Sequence, residues 1–462
     1  MPEFKVHVTP LPVLPDLLGL HAADAARFPF LLDSAATGGS MRRTLGQYDI
    51  LFCEPGAALE LAPADAHAGS DDFFTRLDRL APTRHGPSDE PDALPFRGGW
   101  FVFMAYELAM QVEPILSLPV DDALPLALAV RIESAVVICR RTQRAWLVSE
   151  RADTRDLIDT ITGLRTAAPR EHGQSLIRDL LEEPAERYLD AVSQAKEHIA
   201  AGDVFQANLS RLWRAHLAPG VDDIDVYRRL RSSNPAPFAG LMAWRERRVL
   251  SSSPERLVRL GRGTAQTRPI AGTRPRGVGA SADRARSTEL IGHPKERAEH
   301  VMLIDLERND LGRVCRAGTV EVDEFMAIET YAHVHHIVSN VRGVLEEGVG
   351  PGAALRAVYP GGTITGCPKV RCMQIIAQLE GTARGAYTGA MGYLNRDGSG
   401  DFNILIRTAV SDGDEVTFRA GAGIVADSEP QAELQETRAK ARGLVLALTG
   451  DTRPSGDQRM DS

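Results

Sequence analysis

The sequence predicts an α+β fold built on antiparallel β-sheets. Its predicted strands occur in pairs instead of alternating one-to-one with helices, which argues against a doubly wound parallel sheet. Its clearest helical segments are few, and each begins at or just after a proline. The composition is that of an ordinary globular protein, with 43% hydrophobic and 25% charged residues in 462 positions.

The individual elements follow from short patterns along the chain. The first third contains mainly strands, which are apolar or β-branched runs bounded by turn residues, at 48–53, 99–104, 127–132 and 135–139. Apolar residues at helical spacing predict helices at 185–201, from Pro294 to about 306, and from Pro430 to about 448. Further strands are predicted at 248–250, 319–322, 334–340, 390–394, 404–409 and 415–420.

Three polar segments indicate how the chain is organised. Residues 82–95 are crowded with proline, glycine and acids, which is typical of an exposed loop. Residues 166–174 are the best boundary between an N-terminal, mostly β part at 1–165 and a larger part at 175–449. We expect these two parts to form one composite fold. Residues 450–462 contain a single apolar residue and are expected to be a disordered tail.

Charge and cysteine content argue against several classes of function. Lys+Arg 53 against Asp+Glu 62 gives a net charge of −9, which disfavours general binding of nucleic acid or anionic membranes. The five cysteines form no Cys-x-x-Cys pair, which excludes a disulfide scaffold or a zinc ribbon and suits a reducing cytoplasm. The sequence shows no secretion signal and no apolar run of ~18 residues, so we expect a soluble cytoplasmic protein.

Two Glu-x-x-Glu pairs are the most informative chemical signal. Glu296 and Glu299 lie one turn into a predicted helix, and Glu433 and Glu436 have the same place in another. Residues three apart share a helix face, so each pair presents two carboxylates in one direction. Four carboxylates without a His or Cys partner favour Mg²⁺ over zinc. One such pair alone is commonly a solvated helix face. Two pairs together strengthen the case for a metal site, and the solvated face stays open as the alternative.

Glycines next to basic residues indicate a second binding feature. Residues 359–371 place three glycines beside Thr363, but a Cys-Pro step interrupts the P-loop pattern. The N–H groups of Gly421 and Gly423 could hold a carboxylate or phosphate, unless these glycines only form tight turns. Residues 268–277 contain three arginines in ten positions, which favours an anionic ligand. The pattern as a whole indicates a Mg²⁺ site next to a pocket for a small polyanion.

At these residues the chain resembles the chorismate-utilising enzymes. This family includes anthranilate synthase component I, aminodeoxychorismate synthase component I, and the isochorismate and salicylate synthases. The resemblance is strong over about 184–448 and weaker in the N-terminal third. It depends on collinear motifs that are specific to the family, namely GDVFQANLSR at 202–211, SPE at 253–255, PIAGT at 269–273, 295–310, VHHIVS around His336, 361–369 and 421–440.

The resemblance implies large antiparallel sheets sandwiching helices, with the substrate site in a cleft of the 175–449 part. It implies that the four paired glutamates hold Mg²⁺, some of them through water, and that the metal bridges to the ring carboxylate of chorismate. Arg407 and Tyr387 match residues that hold the enolpyruvyl carboxylate. The other positions that match substrate-binding residues of the family are Gln206, Ala271, Thr273, Thr363, Gly421 and Gly423.

Three further positions match residues with catalytic roles in the family. Glu255 matches the general acid that protonates the departing C4 hydroxyl, and hydroxide leaves readily only when it is protonated. His336 matches a histidine assigned to pyruvate elimination in anthranilate synthases. Lys440 matches a lysine that faces the metal site.

Ala271 complicates the choice among the family members. Alanine in PIAGT is typical of anthranilate synthases, whereas many aminodeoxychorismate synthases have a lysine there that forms a covalent adduct at C2 of the substrate. Residues 31–34 only partly match the element that binds tryptophan in feedback-regulated anthranilate synthases. Segments closer to aminodeoxychorismate synthase are 48–55, 208–210, 234–238, 335–336, 361–366 and 425–437.

On balance the resemblance favours aminodeoxychorismate synthase component I of p-aminobenzoate and folate biosynthesis, acting by a noncovalent route because Ala271 replaces lysine. Anthranilate synthase component I is the alternative, and an isochorismate or salicylate synthase is a more distant one. The sequence lacks a nucleophile elbow around a cysteine with a downstream His-x-Glu, so a separate glutamine amidotransferase subunit is expected to supply ammonia. Outside the family, a Mg²⁺-dependent phosphoryl-transfer enzyme would need a phosphate cradle. A non-catalytic binding module would not need an acid, a metal shell and a carboxylate clamp together.

Overall fold

The computed structural model describes most of the chain, namely residues 5–35, 46–66, 71–81, 94–164, 175–277, 279–330 and 334–450. The predicted boundary at 166–174, most of the predicted loop at 82–95 and residues 451–462 of the predicted tail lie outside the described residues. Among the helices of these described ranges, none has the length and apolar character needed to cross a membrane.

The described residues form 22 strands, all paired in antiparallel fashion. In chain order the strands are β1 His7–Pro10, β2 Phe30–Asp33, β3 Tyr48–Cys53, β4 Ala58–Leu61, β5 Gly99–Met104, β6 Ala127–Ile132, β7 Ser134–Cys139, β8 Arg144–Ser149, β9 Ile177–Glu182, β10 Gln206–Leu217, β11 Phe238–Trp244, β12 Arg247–Ser253, β13 Arg256–Gly261, β14 Thr264–Arg268, β15 Ile270–Pro275, β16 Glu321–Thr330, β17 Val334–Val344, β18 Gly366–Cys367, β19 Ala390–Asn395, β20 Gly400–Asn403, β21 Thr408–Asp412 and β22 Glu415–Ile424.

Helices pack against these strands throughout the described part of the chain. In chain order the α-helices are α1 Leu17–Ala23, α2 Phe73–Leu80, α3 Ala109–Val112, α4 Arg155–Gly163, α5 Ala185–Ala200, α6 Asp223–Ser233, α7 Ala280–Gly292, α8 Pro294–Gly312, α9 Pro351–Val358, α10 Lys369–Glu380 and α11 Pro430–Thr449. Short 3₁₀ turns lie at Pro63–Asp65, Tyr106–Leu108 and Gly362–Ile364.

The strands form two large sheets that both parts of the chain share. The first sheet has twelve strands in the order β1-β8-β7-β3-β2-β11-β12-β21-β22-β10-β18, and β9 also pairs with β10. The second has ten strands in the order β15-β17-β14-β13-β20-β19-β5-β6-β4, and β16 also pairs with β17. Strand β2 pairs with β11 and β5 pairs with β19, so each sheet joins N-terminal strands to later ones. The predicted α+β class with large antiparallel sheets is confirmed.

An aromatic core joins the two sheets. Phe30 of the first sheet stacks on Phe101 of the second, with ring centroids 4.1 Å apart. Successive side chains of a strand point to opposite faces. Val102 and Met104 of β5 therefore pack on the other face of the second sheet, in a cluster with α2 and α9. One face of the second sheet thus packs directly on the first sheet, and its other face packs on helices α2 and α9.

The prediction of a continuous strand at 404–409 is wrong. Strand β20 ends at Asn403 and β21 begins only at Thr408. Arg407, between them, has a φ of +52°, in the left-handed region that interrupts extended backbone. The apolar and β-branched residues of this segment gave no sign of that turn, which places Arg407 next to the candidate site.

Two other elements differ from their predicted bounds. The helix that begins at Pro294 continues past 306 to Gly312, because apolar residues keep helical spacing as far as the buried Leu311. The strand predicted at 319–322 begins at Glu321 and extends to Thr330 as β16. Strand β16 alternates acidic and apolar residues, and it pairs with the long strand β17.

Candidate active site

Several predicted site residues lie close to one another, on β10 and β22 of the first sheet and on or next to β13, β15 and β17 of the second. We call this region the cleft. The side-chain carboxyl of Glu255 is close enough to Lys440 and Arg407 for both cations to lower its pKa. The same two cations also lower the pKa of His336. The structure therefore brings together four residues that are up to 185 positions apart, since 440 − 255 = 185.

Glu255 has the environment of a general acid. It lies in the turn between β12 and β13, where the Ser253 hydroxyl accepts its backbone N–H at 3.2 Å. The residue is only 5% exposed, and burial raises the pKa of its carboxyl to about 7 despite the opposing Thr363 hydroxyl and the nearby cations. Oxygen Oε1 has no hydrogen-bond partner in the described part of the chain. A buried carboxyl that is protonated near neutral pH and has an unpaired oxygen suits protonation of a leaving hydroxyl.

Thr273 and His336 form a polar pair on neighbouring strands. They are directly opposite each other in the β15–β17 register, and Thr273 Oγ1 lies 3.0 Å from His336 Nδ1. Burial, reinforced by the positive charge of Arg407, lowers the pKa of His336 to about 3. The imidazole is therefore neutral at physiological pH. Ala271 is on the same strand as Thr273, opposite Ile337, and is buried.

Gly421 and Gly423 make room for side chains at the floor of the cleft. They lie within β22, opposite Ser210 and Asn208 of β10, so the interpretation as a pair of tight turns is wrong. A Cβ atom at Gly423 would lie 2.2 Å from Gln206 Nε2. A Cβ atom at Gly421 would lie 2.8 Å from both Asn208 Oδ1 and Tyr387 Oη.

A buried ion-pair network supports the Tyr387 ring. The Arg384 guanidinium lies 5.5 Å from the Tyr387 ring centroid and donates to Glu380 Oε1 at 2.6 Å. Glu380 also accepts hydrogen bonds from the Ser210 N–H at 2.8 Å and from Arg419 at 3.1 Å. Both carboxylate oxygens of Glu380 are paired, so the network holds Tyr387 against β10 and β22. With two buried arginines for one glutamate, it also leaves a net positive charge beside the ring.

The two acidic pairs lie at the mouth of the cleft, close enough to influence one another. Burial raises the pKa of Glu299, and the Glu296 and Glu436 carboxylates raise it further. Burial likewise raises the pKa of Glu433, with Glu436 adding to the effect. Four carboxylates that repel one another in this way are stabilised by a cation.

The four carboxylates would hold a cation only together with water or substrate oxygens. Within the described ranges, no three His, Cys, Asp or Glu side chains are close enough to hold a metal ion by themselves. Lys440 Nζ lies 2.8 Å from Glu436 Oε1, and Arg274 Nη1 lies 2.9 Å from Glu296 Oε1. Mg²⁺ commonly keeps several waters and takes one or two carboxylates plus substrate oxygens, so this arrangement suits Mg²⁺.

The three arginines of 268–277 are engaged by acids of the protein. Arg268 pairs with Glu329 and with Glu324, the latter at 2.6 Å. Arg276 pairs with Asp283 at 2.7 Å, and Arg274 pairs with Glu296. The expectation that this segment binds an anionic ligand through its arginines is therefore wrong, because their charges are neutralised within the protein. The segment instead positions Ala271 and Thr273.

The chain matches one protein family over nearly its full length. The family is described as chorismate binding enzyme, and the match spans residues 29–445. The chain belongs to the chorismate binding enzymes.

Named relatives of this chorismate binding enzyme include both activities expected from the sequence. An anthranilate synthase component I-like protein from Synechocystis sp. is 40% identical over 431 residues, covering 91% of this chain and 86% of the relative. Aminodeoxychorismate synthase component 1 from Bacillus subtilis is 41% identical over 365 residues, covering 76% and 77%. The crystal structure of anthranilate synthase component I from Streptococcus pneumoniae matches with a TM-score of 0.76 at 30% identity, covering 88% and 95%. The protein is a chorismate-utilising enzyme, and identity alone does not separate the two activities.

Two residues of this chorismate binding enzyme were not singled out individually from the sequence. Asn208 lies two positions after Gln206 on β10, so strand alternation would have placed it on the same face. Glu307 occupies the buried stripe of α8 between Ile304 and Leu311. An acid at a core position of a helix is the signal that could have found it.

Proposed function

We propose that this enzyme is aminodeoxychorismate synthase component I. It converts chorismate and ammonia into 4-amino-4-deoxychorismate and water, and a glutamine amidotransferase subunit supplies the ammonia. The observation that carries the proposal is the position of Asn208 near Tyr387, the residue that the resemblance matches to the enolpyruvyl carboxylate.

Asn208 supports retention of the enolpyruvyl group. Its Oδ1 atom and Tyr387 Oη lie at the same 2.8 Å from the Cβ position of Gly421, so the amide and the phenol converge. In the described residues Asn208 Oδ1 has no hydrogen-bond partner. The amide places a neutral polar group beside the Tyr387 hydroxyl. Because Oδ1 only accepts hydrogen bonds, a ligand carboxylate would be bound by the amide Nδ2–H group. Amination at C4 keeps the enolpyruvyl group that this clamp holds, whereas anthranilate formation releases it as pyruvate.

The rest of the cleft supplies the acid and the place for the metal. The Glu255 carboxyl, protonated below about pH 7, gives its proton to the departing C4 hydroxyl. Glu296, Glu299, Glu433 and Glu436 would hold Mg²⁺, which supplies neutralisation of the ring carboxylate when bound. Lys440, paired with Glu436, keeps a positive charge at the same end of the cleft.

Because residue 271 is alanine, ammonia is the nucleophile at both C2 and C4 of chorismate. Its methyl group cannot attack C2, so a covalent enzyme adduct is unavailable there. A first ammonia adds at C2 while the C4 hydroxyl leaves as water. A second ammonia then adds at C4 and expels the first, so that one ammonia and one chorismate are consumed for each product and water formed.

We expect no covalent adduct on the protein during turnover. Intact-mass spectra of the enzyme, quenched in the steady state with chorismate, ammonium and Mg²⁺, should show only the mass of the unmodified chain. An added mass corresponding to chorismate less water would contradict the noncovalent route. The 2-amino intermediate supplied with ammonium should also be converted to the C4 product.

Product identification tests the proposed function directly. Chorismate, ammonium and Mg²⁺ should yield 4-amino-4-deoxychorismate, identified by mass and retention time, with no pyruvate detected in a coupled lactate dehydrogenase assay. Stoichiometric anthranilate and pyruvate would overturn the proposal. Asn208→Val, which removes the amide with little change in volume, should release more pyruvate per turnover than the unaltered enzyme.

Anthranilate synthase is the second candidate, because two observations favour it. Ala271 is the residue that the resemblance associates with anthranilate synthases. His336, the position matched to pyruvate elimination, lies in the cleft and is oriented by Thr273 at 3.0 Å. The same product assay distinguishes the two activities.

We expect millimolar tryptophan to leave activity nearly unchanged. Asp33, in the segment that partly matches the tryptophan element, is only 2% exposed and pairs with Arg140 at 2.7 Å and with Arg231. Arg140 also donates to Asp49 at 2.8 Å, so the acids of this segment are already satisfied by the protein. Initial rates with and without 1 mM tryptophan test this, and strong inhibition at micromolar levels would favour anthranilate synthase.

A further inference from the structure

A second buried carboxyl, Glu307, lies behind the turn that carries Thr363. Glu307 is on α8, two turns after Glu299, and is 5% exposed. A Cβ atom at Gly362 would lie 3.6 Å from Glu307 Oε1. Thr363, the next residue in this turn, faces the Glu255 carboxyl. The turn Gly362–Ile364 therefore has Glu307 against one residue and the general acid against the next.

Two buried hydroxyl groups face these two carboxyls. Glu307 faces the Thr267 hydroxyl, which is 1% exposed, and Glu255 faces the Thr363 hydroxyl. Thr267 Oγ1, Thr363 Oγ1 and Glu255 Oε1 all lack a close hydrogen-bond partner within the ranges that the structure describes. Buried polar atoms without a protein partner are commonly satisfied by an ordered water, which would join these two hydroxyls. Each hydroxyl can accept and donate a proton at once.

The charges around Glu307 suit a group that stores a proton. Burial raises the pKa of Glu307 to about 8, the Asp310 carboxylate raises it further, and Lys369 opposes both. Lys369 Nζ lies 2.6 Å from Asp310 Oδ2 at the edge of the cleft wall. The titratable groups that face Glu307 are thus Asp310 on its own helix, Lys369 on α10 and Glu255. Two carboxyls that ionise near the same pH can exchange a proton at small free-energy cost.

We propose that Glu307 is a positioning residue that stores a proton for Glu255 and returns it through the Thr267 and Thr363 hydroxyls. This inference rests on the proposed role of Glu255 as the acid that protonates the C4 hydroxyl, and it holds for amination at either carbon. When Glu255 has given its proton to the leaving hydroxyl, Glu307 supplies another and becomes a carboxylate. Ammonia that has added to carbon is a cation and releases one proton, which restores Glu307. No net proton is consumed, because one hydrogen passes from nitrogen to the departing water.

Glu107 shows what a purely structural buried acid looks like in the same protein. Burial raises the pKa of Glu107 to about 7, much as for Glu307. Its carboxyl, however, accepts the backbone N–H groups of Arg384 at 2.7 Å and Gly385 at 3.2 Å. Glu107 therefore fixes the loop before Tyr387, whereas Glu307 faces a hydroxyl that can pass a proton.

The variant Glu307→Gln separates proton storage from packing. Glutamine has the shape and polarity of the protonated acid but cannot give up a proton. We expect kcat at pH 8 to fall about tenfold and the basic limb of its pH profile to move down by roughly one pH unit. Glu307→Asp keeps the carboxyl and should restore the limb. Glu107→Gln, the matched control, should leave the shape of the profile unchanged.

Several outcomes would overturn the inference. A Glu307→Gln enzyme with an unmoved basic limb and kcat within about twofold of the unaltered enzyme shows that the carboxyl only fills space. If Glu307→Gln does not fold, Thr267→Val removes the hydroxyl at constant volume, and an unchanged pH profile in that variant is equally decisive. Failure of the proposed function is distinguishable, because it appears as anthranilate and pyruvate in the product assay of the unaltered enzyme. Failure of the acid role of Glu255 appears separately, as full activity in Glu255→Gln.

Discussion

Replacing Glu255 by glutamine is expected to lower kcat/KM for chorismate about a thousandfold. Glutamine fits the same buried space, but it cannot transfer a proton to the C4 hydroxyl, and hydroxide is a poor leaving group. The acid is 5% exposed and carries an oxygen with no partner in the described residues, so that oxygen is available to hydrogen-bond a substrate hydroxyl. The loss should therefore be confined to the chemical step.

The pH dependence of kcat/KM shows whether Glu255 acts in its protonated form. Burial raises the pKa of Glu255 to about 7, and the active form of a general acid is the protonated one. In the unaltered enzyme kcat/KM should be constant below about pH 7 and decline above it. Residual activity of Glu255→Gln should lack this decline, because no group with that pKa remains in the acid position.

Two measurements separate lost chemistry from lost structure. Chorismate with Mg²⁺ should raise the thermal midpoint of Glu255→Gln as much as that of the unaltered enzyme, since ligand binding to the folded state stabilises it. Initial rates measured between about pH 5.5 and 9 give the profile. Undiminished activity in this variant would remove Glu255 from the mechanism.

The sequence predicted the elements whose signals are local. Helices α5 and α11 agree closely with the predicted 185–201 and 430–448, because apolar spacing and an initial proline define both. Strands β3, β5 and β6 have their predicted bounds, since each is an apolar run between turn residues. The paired acids of the candidate site were found in the same way, because the spacing of each pair places it on one face of its own helix.

Features that depend on distant residues could not be predicted. Composition showed three arginines in 268–277, but only the fold shows that Glu329, Asp283 and Glu296 neutralise them. The left-handed residue Arg407 lies where the chain passes from β20 in the second sheet to β21 in the first, and no local pattern records this change of sheet. The sequence showed that Gly421 and Gly423 match a carboxylate site. Why glycine is needed there could be seen only from the structure, in which Asn208 and Gln206 on the neighbouring strand fill the space of a side chain.

Removing divalent cations is expected to reduce turnover of chorismate to the background rate. Burial and mutual repulsion raise the pKa values of Glu299 and Glu433 although Lys440 and Lys295 oppose the rise, so the acidic pairs remain costly without a further cation. The ring carboxylate of the substrate brings another negative charge to the same place. Excess EDTA should therefore abolish activity, and added Mg²⁺ should restore it.

The variants Glu299→Gln and Glu436→Gln test whether the paired acids are responsible. Each removes one negative charge with little change in shape and should lower kcat/KM about a hundredfold. Mg²⁺ should raise the thermal midpoint of the unaltered enzyme more than that of either variant, because a cation bound to the folded state stabilises it. Asp305→Asn, an exposed acid on the same helix α8, is the matched control and should retain both activity and the Mg²⁺ response. Full activity in excess EDTA, or in both glutamine variants, would show that the four carboxylates do not form the metal site.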